Sequence, residues 1–218
     1  MKLIDLSHTV YSGLVTYKGL PAPLICDYLS RETSRANYEG GSEFQIGKIE
    51  MVTNTGTYID CPFHRYADGK DLSEMELERF VDLPAIAIRI DPAQLAIASE
   101  AFKGFDLRGR AVLVHTNWSR HWDTSAYFEN HPFITAGGAE YLRDQKVLLV
   151  GIESHNIDDT RTRNSRPVHS ALLRAEIPIV EHLCNLDQLP DEGFTFSAVP
   201  PKFKGAGTFP VRAYGKVG

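Results

Sequence analysis

Short apolar runs, most of them closed by Asp, Gly, Asn or Pro, recur along the chain at residues 2–6, 44–53, 85–90, 111–116, 147–151 and 177–180. Their length and punctuation predict β-strands. Between them lie segments with helix-start signals: 73–80 after Asp71, 92–101 after Asp91 with Pro92 in the first turn, 135–144, and 167–175 opening on Pro167. Strands interleaved with helices predict an α/β fold. The Gly/Thr-rich stretch 33–56 and the β-rich stretch 194–213 argue against a purely parallel, doubly wound sheet, so the expectation is a mixed β-sheet with flanking helices. No repeat or linker divides the chain, and residues 1–218 are read as a single domain.

Composition adds exclusions. With 43% hydrophobic and 23% charged residues the chain is of globular type. A formal charge of -5 without any basic cluster offers no footprint for nucleic acid or an anionic membrane, which leaves a small molecule as the expected partner. The first residues lack the pattern of a signal peptide, and no run approaches the roughly 18 apolar residues of a membrane helix. Cys26, Cys61 and Cys184 are odd in number and form no CxxC pair, which fits a reducing cytoplasm better than a disulfide framework.

Two segments hold candidate chemistry. In the first, Asp60 and His64 flank Pro62, which disfavours helix and suggests a strand end running into a turn. A surface aspartate and a histidine bonded to backbone would give the same pattern. In the second, His169 falls in the first turn after Pro167, and Glu181 closes the apolar run 177–180, where a carboxylate needs a cation or another partner. A structural pairing with arginine would satisfy it equally. Asp60, His169 and Glu181 together would form a set suited to Zn²⁺ or Mn²⁺, with His64 beside it as a proton carrier, but spacing alone does not bring the two segments together. His155 and Glu153 read as loop residues, His8 as a pocket-lining candidate, and the charged run from Asp158 to Arg166 as a solvated loop.

The frame Asn54-Thr-Gly56-Thr57-Tyr58-Ile-Asp60-Cys-Pro62-Phe-His64 resembles the signature His-x-Gly-Thr-His-x-Asp-x-Pro-x-His of the cyclase-like metal-dependent hydrolases, the family of bacterial kynurenine formamidase and isatin hydrolase; five of its seven fixed positions match. Ile4–His8, Val112–Trp118, Gly151–Asp158, Glu181–Leu186 and Pro210–Arg212 resemble further family segments in the same order, so the likeness spans nearly the whole chain.

The resemblance implies the family's swivelling β/β/α arrangement, a homodimer or homotetramer, metal ligation by Asp60, His169 and Glu181, proton transfer by His64, and a substrate-lining Tyr17. Two signature histidines are replaced by Asn54 and Tyr58. A phenol with an ordinary pKa near 10 is a poor metal ligand at neutral pH, so one divalent ion, Zn or Mn, is expected. Asn54 is then expected near the substrate, and Tyr58 in the vacated volume, free to donate to a substrate oxyanion. Hydrolysis of a C–N bond in a small amide, formamide or cyclic amide follows as the expected activity. The alternatives are an inactive relative that binds small molecules or acts as a scaffold, and a lactonase or dehydratase on the same frame.

Overall fold

The computed structural model describes residues 1–161 and 165–218. A nine-stranded mixed sheet runs in the spatial order β1 (Lys2–Asp5), β13 (Tyr214–Val217), β11 (Phe194–Ser197), β5 (Leu83–Arg89), β7 (Ala111–His115), β9 (Leu149–Ile152), β10 (Ile179–Glu181), β4 (Tyr58–Asp60) and β12 (Thr208–Pro210). Strands β5, β7, β9 and β10 are parallel neighbours and the outer pairs are antiparallel. The parallel strands are covered on both faces, which is why they read in the sequence as continuous apolar runs rather than alternating ones.

Period-two alternation splits the core between the two faces. On one, Ile86, Ile88, Val112, Val114, Val150, Ile152 and Ile179 pack with residues of helices α2 (Ala136–Asp144) and α3 (Pro167–Arg174). On the other, Ala85, Ala87, Leu113, Leu149 and Val180 meet Leu72, Phe80, Leu186 and Leu189 from connecting segments. Gly151 is required where β9 crosses this second face, because a Cβ there would sit 2.6 Å from Leu183 Cδ1 and 2.8 Å from Leu113 Cδ2.

Two expected helices are absent. After Asp71 the chain makes a tight turn in which the Asp71 carboxylate accepts from Ser73 N–H (2.8 Å) and Glu74 N–H (3.2 Å), and only Leu77–Arg79 winds as a single 3-10 turn. Such local side-chain bonds compete with helix propagation. Asp91 likewise accepts from Ala93 N–H at 2.9 Å, but β6 (Ala96–Ile97) then pairs in parallel with β8 (Phe133–Ile134), and this long-range pairing overrides the local signal. The stretch 33–56 holds a short helix α1 (Arg31–Arg35) at its start and β3 (Ile46–Glu50), which pairs with β2 (Leu24–Leu29) in a two-stranded ribbon apart from the main sheet. No helix of the described residues is long and apolar enough to cross a membrane.

Behind the strand ends lies a cluster of aromatic and histidine rings. His8 stacks on Trp122 with centroids 4.0 Å apart, and His155 packs on Tyr17 at 4.5 Å. His8 Nε2 and His155 Nδ1 are buried without a hydrogen-bond partner among the described residues. Burial lowers His8 from 6.5 to about 4 and, together with repulsion from His131 and Lys18, His155 to about 3. The unfolded chain then binds protons that the folded chain refuses, so the stability tied to these residues is complete above pH 6.5 and is lost as pH falls through the window below it. Glu153, raised by burial to about 7, acts in the opposite sense between its ordinary value of 4.5 and 7. The diagnostic quantity is therefore a change of slope: His155→Gln is expected to reduce the acid-side gain of unfolding free energy with pH by up to about 1.4 kcal/mol per pH unit. Denaturant titrations between about pH 5 and pH 7 measure it, and a variant slope equal to that of the wild type contradicts the assignment.

Candidate metal centre

Register builds the centre. In the antiparallel pair β4–β10, Tyr58 lies opposite Glu181 and Asp60 opposite Ile179; in β4–β12, Thr208 lies opposite Asp60. Ile59 and Val180 point into the second-face core, so Tyr58, Asp60 and Glu181 all point to the face on which α3 packs. There α3 presents His169 from its first turn. The two segments that the sequence leaves more than a hundred residues apart thus meet across one strand pair.

His169 is held from behind by Asp158. One Asp158 oxygen accepts from Val168 N–H at 2.8 Å, and the other from His169 N–H at 3.1 Å and His169 Nδ1 at 2.6 Å. Asp158 therefore supplies the helix cap that Arg166, at the cap position, does not provide, and it fixes the proton of the imidazole on Nδ1. His169 Nε2 is turned to the other two carboxylates, 3.5 Å from Asp60 Oδ2 and 3.7 Å from Glu181 Oε1. Asp60 Oδ2 is buried and accepts no hydrogen bond among the described residues.

These observations test whether a cation fits. Ligand atoms about 2.0–2.2 Å from a tetrahedral Zn²⁺ lie about 3.3–3.6 Å from one another, close to the two separations just given. Burial opposes a charge on His169, yet the carboxylates of Asp158, Asp60 and Glu181 override it and raise His169 from 6.5 to about 10. Burial pushes Glu181 up to about 7 against the pull of His169. Positive charge is what this cluster lacks, and Asp60, His169 and Glu181 could hold a divalent ion. His64 stands within the same compass: atoms of Asp60, His64 and His169 lie within 4.8 Å of one another.

His64 faces the other oxygen of Asp60. The Thr208 hydroxyl donates to Asp60 Oδ1 at 2.6 Å and lies 2.9 Å from His64 Nδ1. A hydroxyl has one proton, and here the carboxylate takes it, so Thr208 can only accept from His64 Nδ1–H. With Nδ1 engaged by Thr208, Nε2 is the ring nitrogen of His64 left for another partner. Its backbone is fixed as well, because Gly207 crosses so close that a Cβ would lie 2.4 Å from His64 N. The His64 side chain remains 34% exposed, in the wall of a cavity of about 270 Å³ that also includes Tyr17, Asn54, Tyr58 and His169.

Tyr58, at the frame position of a signature histidine, is fully buried and is not free. Its hydroxyl donates to Glu181 Oε2, which also accepts from Tyr17 (3.2 Å) and Asn156 (3.4 Å), and the two phenol oxygens are 2.7 Å apart. Burial and the Glu181 charge raise both phenols well above 10, so they stay protonated. The expected donation from Tyr58 to substrate is thus replaced by donation to a candidate ligand. Other expectations change too. Asp158, read as part of a solvated loop, is fully buried; Thr162, Arg163 and Asn164 of that loop lie outside the described residues. Glu153 and His155 are also buried, and Glu153 accepts from Thr116 N–H (3.0 Å) and Asn117 N–H (2.6 Å) as an internal anchor. Asp158, Thr208 and Asn156 were missed as site residues. Nothing local marks Thr208, and Asp158 stands too far ahead of Pro167 to read as a cap; its one signal is that it ends the family-like segment Gly151–Asp158.

The family model described as “Putative cyclase” matches residues 4–159. The kynurenine formamidase of Geobacillus thermodenitrificans is 31% identical over 183 residues, covering 83% of this chain and 84% of its own. The chain belongs to the cyclase family. The kynurenine formamidase of Bacillus cereus (strain ATCC 14579) is 29% identical, over 96% of this chain and 95% of its own. Among solved structures, isatin hydrolase A from Labrenzia aggregata superposes with a TM-score of 0.83 at 22% identity, covering 99% of this chain and 93% of that one. A “Potential Metal-Dependent Hydrolase With Cyclase Activity” gives 0.80 at 24%, over 98% and 96%. The mixed α/β sheet expected from the sequence is the cyclase-family fold.

Support of a metal-ligating histidine by a carboxylate typically changes affinity 10–100-fold. Asp158→Asn is expected to weaken divalent-ion binding by about that factor, read by chelator competition on the purified protein. An unchanged affinity would detach Asp158 from the centre.

Proposed function

We propose that this cyclase-family protein is a metal-dependent hydrolase of a C–N bond in a small amide, formamide or cyclic amide, with one Zn²⁺ or Mn²⁺ per chain. The observation that carries the reading is the buried, unbonded Asp60 Oδ2 facing a His169 whose other nitrogen is tied to Asp158. Bound by Asp60, His169 and Glu181, the ion would polarise the scissile carbonyl and lower the pKa of a water towards about 7. The remaining steps belong to the chain. His64, held with Nε2 free, takes the proton of the attacking water and returns it to the leaving nitrogen. Tyr17 and Asn54, in the cavity wall, orient the substrate. Tyr58 anchors Glu181 by donating to it, and its phenol occupies the place from which a second ion would be ligated.

In this reading residues 1–218 act as one domain on a small-molecule substrate, without nucleic acid or membrane, in a cytoplasm that keeps the three free cysteines reduced. Homodimer or homotetramer formation is supported by the β2–β3 ribbon, whose Leu24, Ile25, Tyr28, Ile46 and Ile49 are all exposed.

Metal analysis combined with turnover of a panel of formamides, cyclic imides and lactones tests the proposal. About one ion per chain is expected, lost in Asp60→Asn, whereas His64→Ala keeps the ion and loses about 10²–10⁴-fold in rate. Two tightly held ions refute the single-ion site. Full metal loading without turnover of any amide favours a binding protein, and turnover of lactones alone moves the chemistry to ester bonds.

A further inference from the structure

The cavity carries a charge arrangement that C–N hydrolysis does not require. His169, which faces the buried carboxylates of Asp60 and Glu181, lines it, and so do two arginines, Arg65 and Arg166, whereas no carboxylate of the described residues does. In a chain whose acids outnumber its bases, 28 to 23, the entrance is locally reversed in sign.

Arg65 directly follows His64, and Ser170 directly follows His169. The Ser170 hydroxyl donates to the Arg166 carbonyl at 2.8 Å, so it accepts from Arg65 Nε–H, at 3.2 Å. This bond ties the Arg65 side chain to α3 by one edge. The terminal nitrogens have no ion pair or further hydrogen bond among the described residues. Arg89, Arg110, Arg143, Arg174 and Arg212 are each neutralised by an aspartate or glutamate. Arg65 has none, although it stands in the wall of the cavity. A guanidinium steadied through Nε and open at its outer fork suits bidentate binding of a carboxylate.

We propose that Arg65 is a specificity-determining residue that binds a carboxylate on the substrate, so that the preferred substrate is an anionic amide with its scissile bond inward and its acid group at the mouth. This deepens the hydrolase reading and rests on it for the reaction, though not for the binding. Arg65 is not assigned a part in proton transfer.

The test uses a matched pair, 3-formamidobenzoate and 3-formamidobenzamide, on the metal-loaded full chain, with both turnover and calorimetric binding measured. Wild type is expected to favour the benzoate at least about tenfold, an effect of about 1.4 kcal/mol, through KM rather than kcat. Arg65→Gln is expected to lose that preference, with metal content and melting temperature retained. Ser170→Ala, which removes the tether and keeps the guanidinium, is expected to retain most of it. Equal handling of the two compounds by wild type overturns the proposal, and so does a preference that survives in Arg65→Gln. Equal losses on both compounds in Arg65→Gln and Ser170→Ala would make Arg65 only a strut between its loop and α3. If neither compound is turned over, the formamidase reading fails, while the binding measurements still decide the role of Arg65.

Discussion

Three carboxylates buried around one imidazole are the constraint on which the rest of the structure turns. Asp60, Glu181 and Asp158 are withdrawn from water beside His169, where an isolated charge is very unfavourable and removal of one partner from a buried pair costs about 3–5 kcal/mol. The surroundings answer this need in detail. Asp158 is spent on the start of α3 and the back of His169, and Glu181 receives two phenols, an amide and the Ile157 N–H at 2.6 Å. Asp60 receives Thr208 on one oxygen and, among the described residues, no hydrogen bond on the other. The arrangement is balanced everywhere except at one point, and that point faces His169.

The replacement of a signature histidine by Tyr58 takes its meaning from this balance. A neutral imidazole can ligate a cation, whereas a protonated phenol can only donate to an anion or accept from a donor. Tyr58 donates to Glu181 and so satisfies one oxygen of a fully buried carboxylate with a hydrogen bond. Tyr17 extends the same substitution, since its hydroxyl reaches both Tyr58 and Glu181. What looks in the sequence like a site stripped of ligands is, in space, a site whose surplus acidity has been met by phenols.

Much of this was legible beforehand because it follows from local patterning. The parallel strands showed themselves as apolar runs, α2 and α3 by Thr135 and Pro167, and the strand-into-turn at Asp60–His64 by Pro62. At 73–80 the local bonds of Asp71 to Ser73 and Glu74 displaced the expected helix, and in the other failures partners distant in the chain decided the outcome. Residues 92–101 carried a sound helix-start signal, but Ala96 and Ile97 found Phe133 and Ile134. Asp158 sat among alternating charges and read as solvated, yet its partners were the first turn of α3. Thr208 was invisible, since its importance comes only from lying opposite Asp60 on a neighbouring strand.

The placing of β12 has a bearing on the order in which the protein is made. Asp60 and His64 emerge early during synthesis, Asp158, His169 and Glu181 about a hundred residues later, and Gly207 and Thr208 near the end. Because β12 is the outermost strand beside β4, and Gly207 closes over the backbone of His64, the proton-bearing nitrogen of that histidine is settled only when the last strands dock. A chain still on the ribosome can gather Asp60, Asp158, His169 and Glu181 while still lacking the hydroxyl that bonds His64 Nδ1. In this fold the carboxylate cluster is complete in the chain before the strand that orients His64.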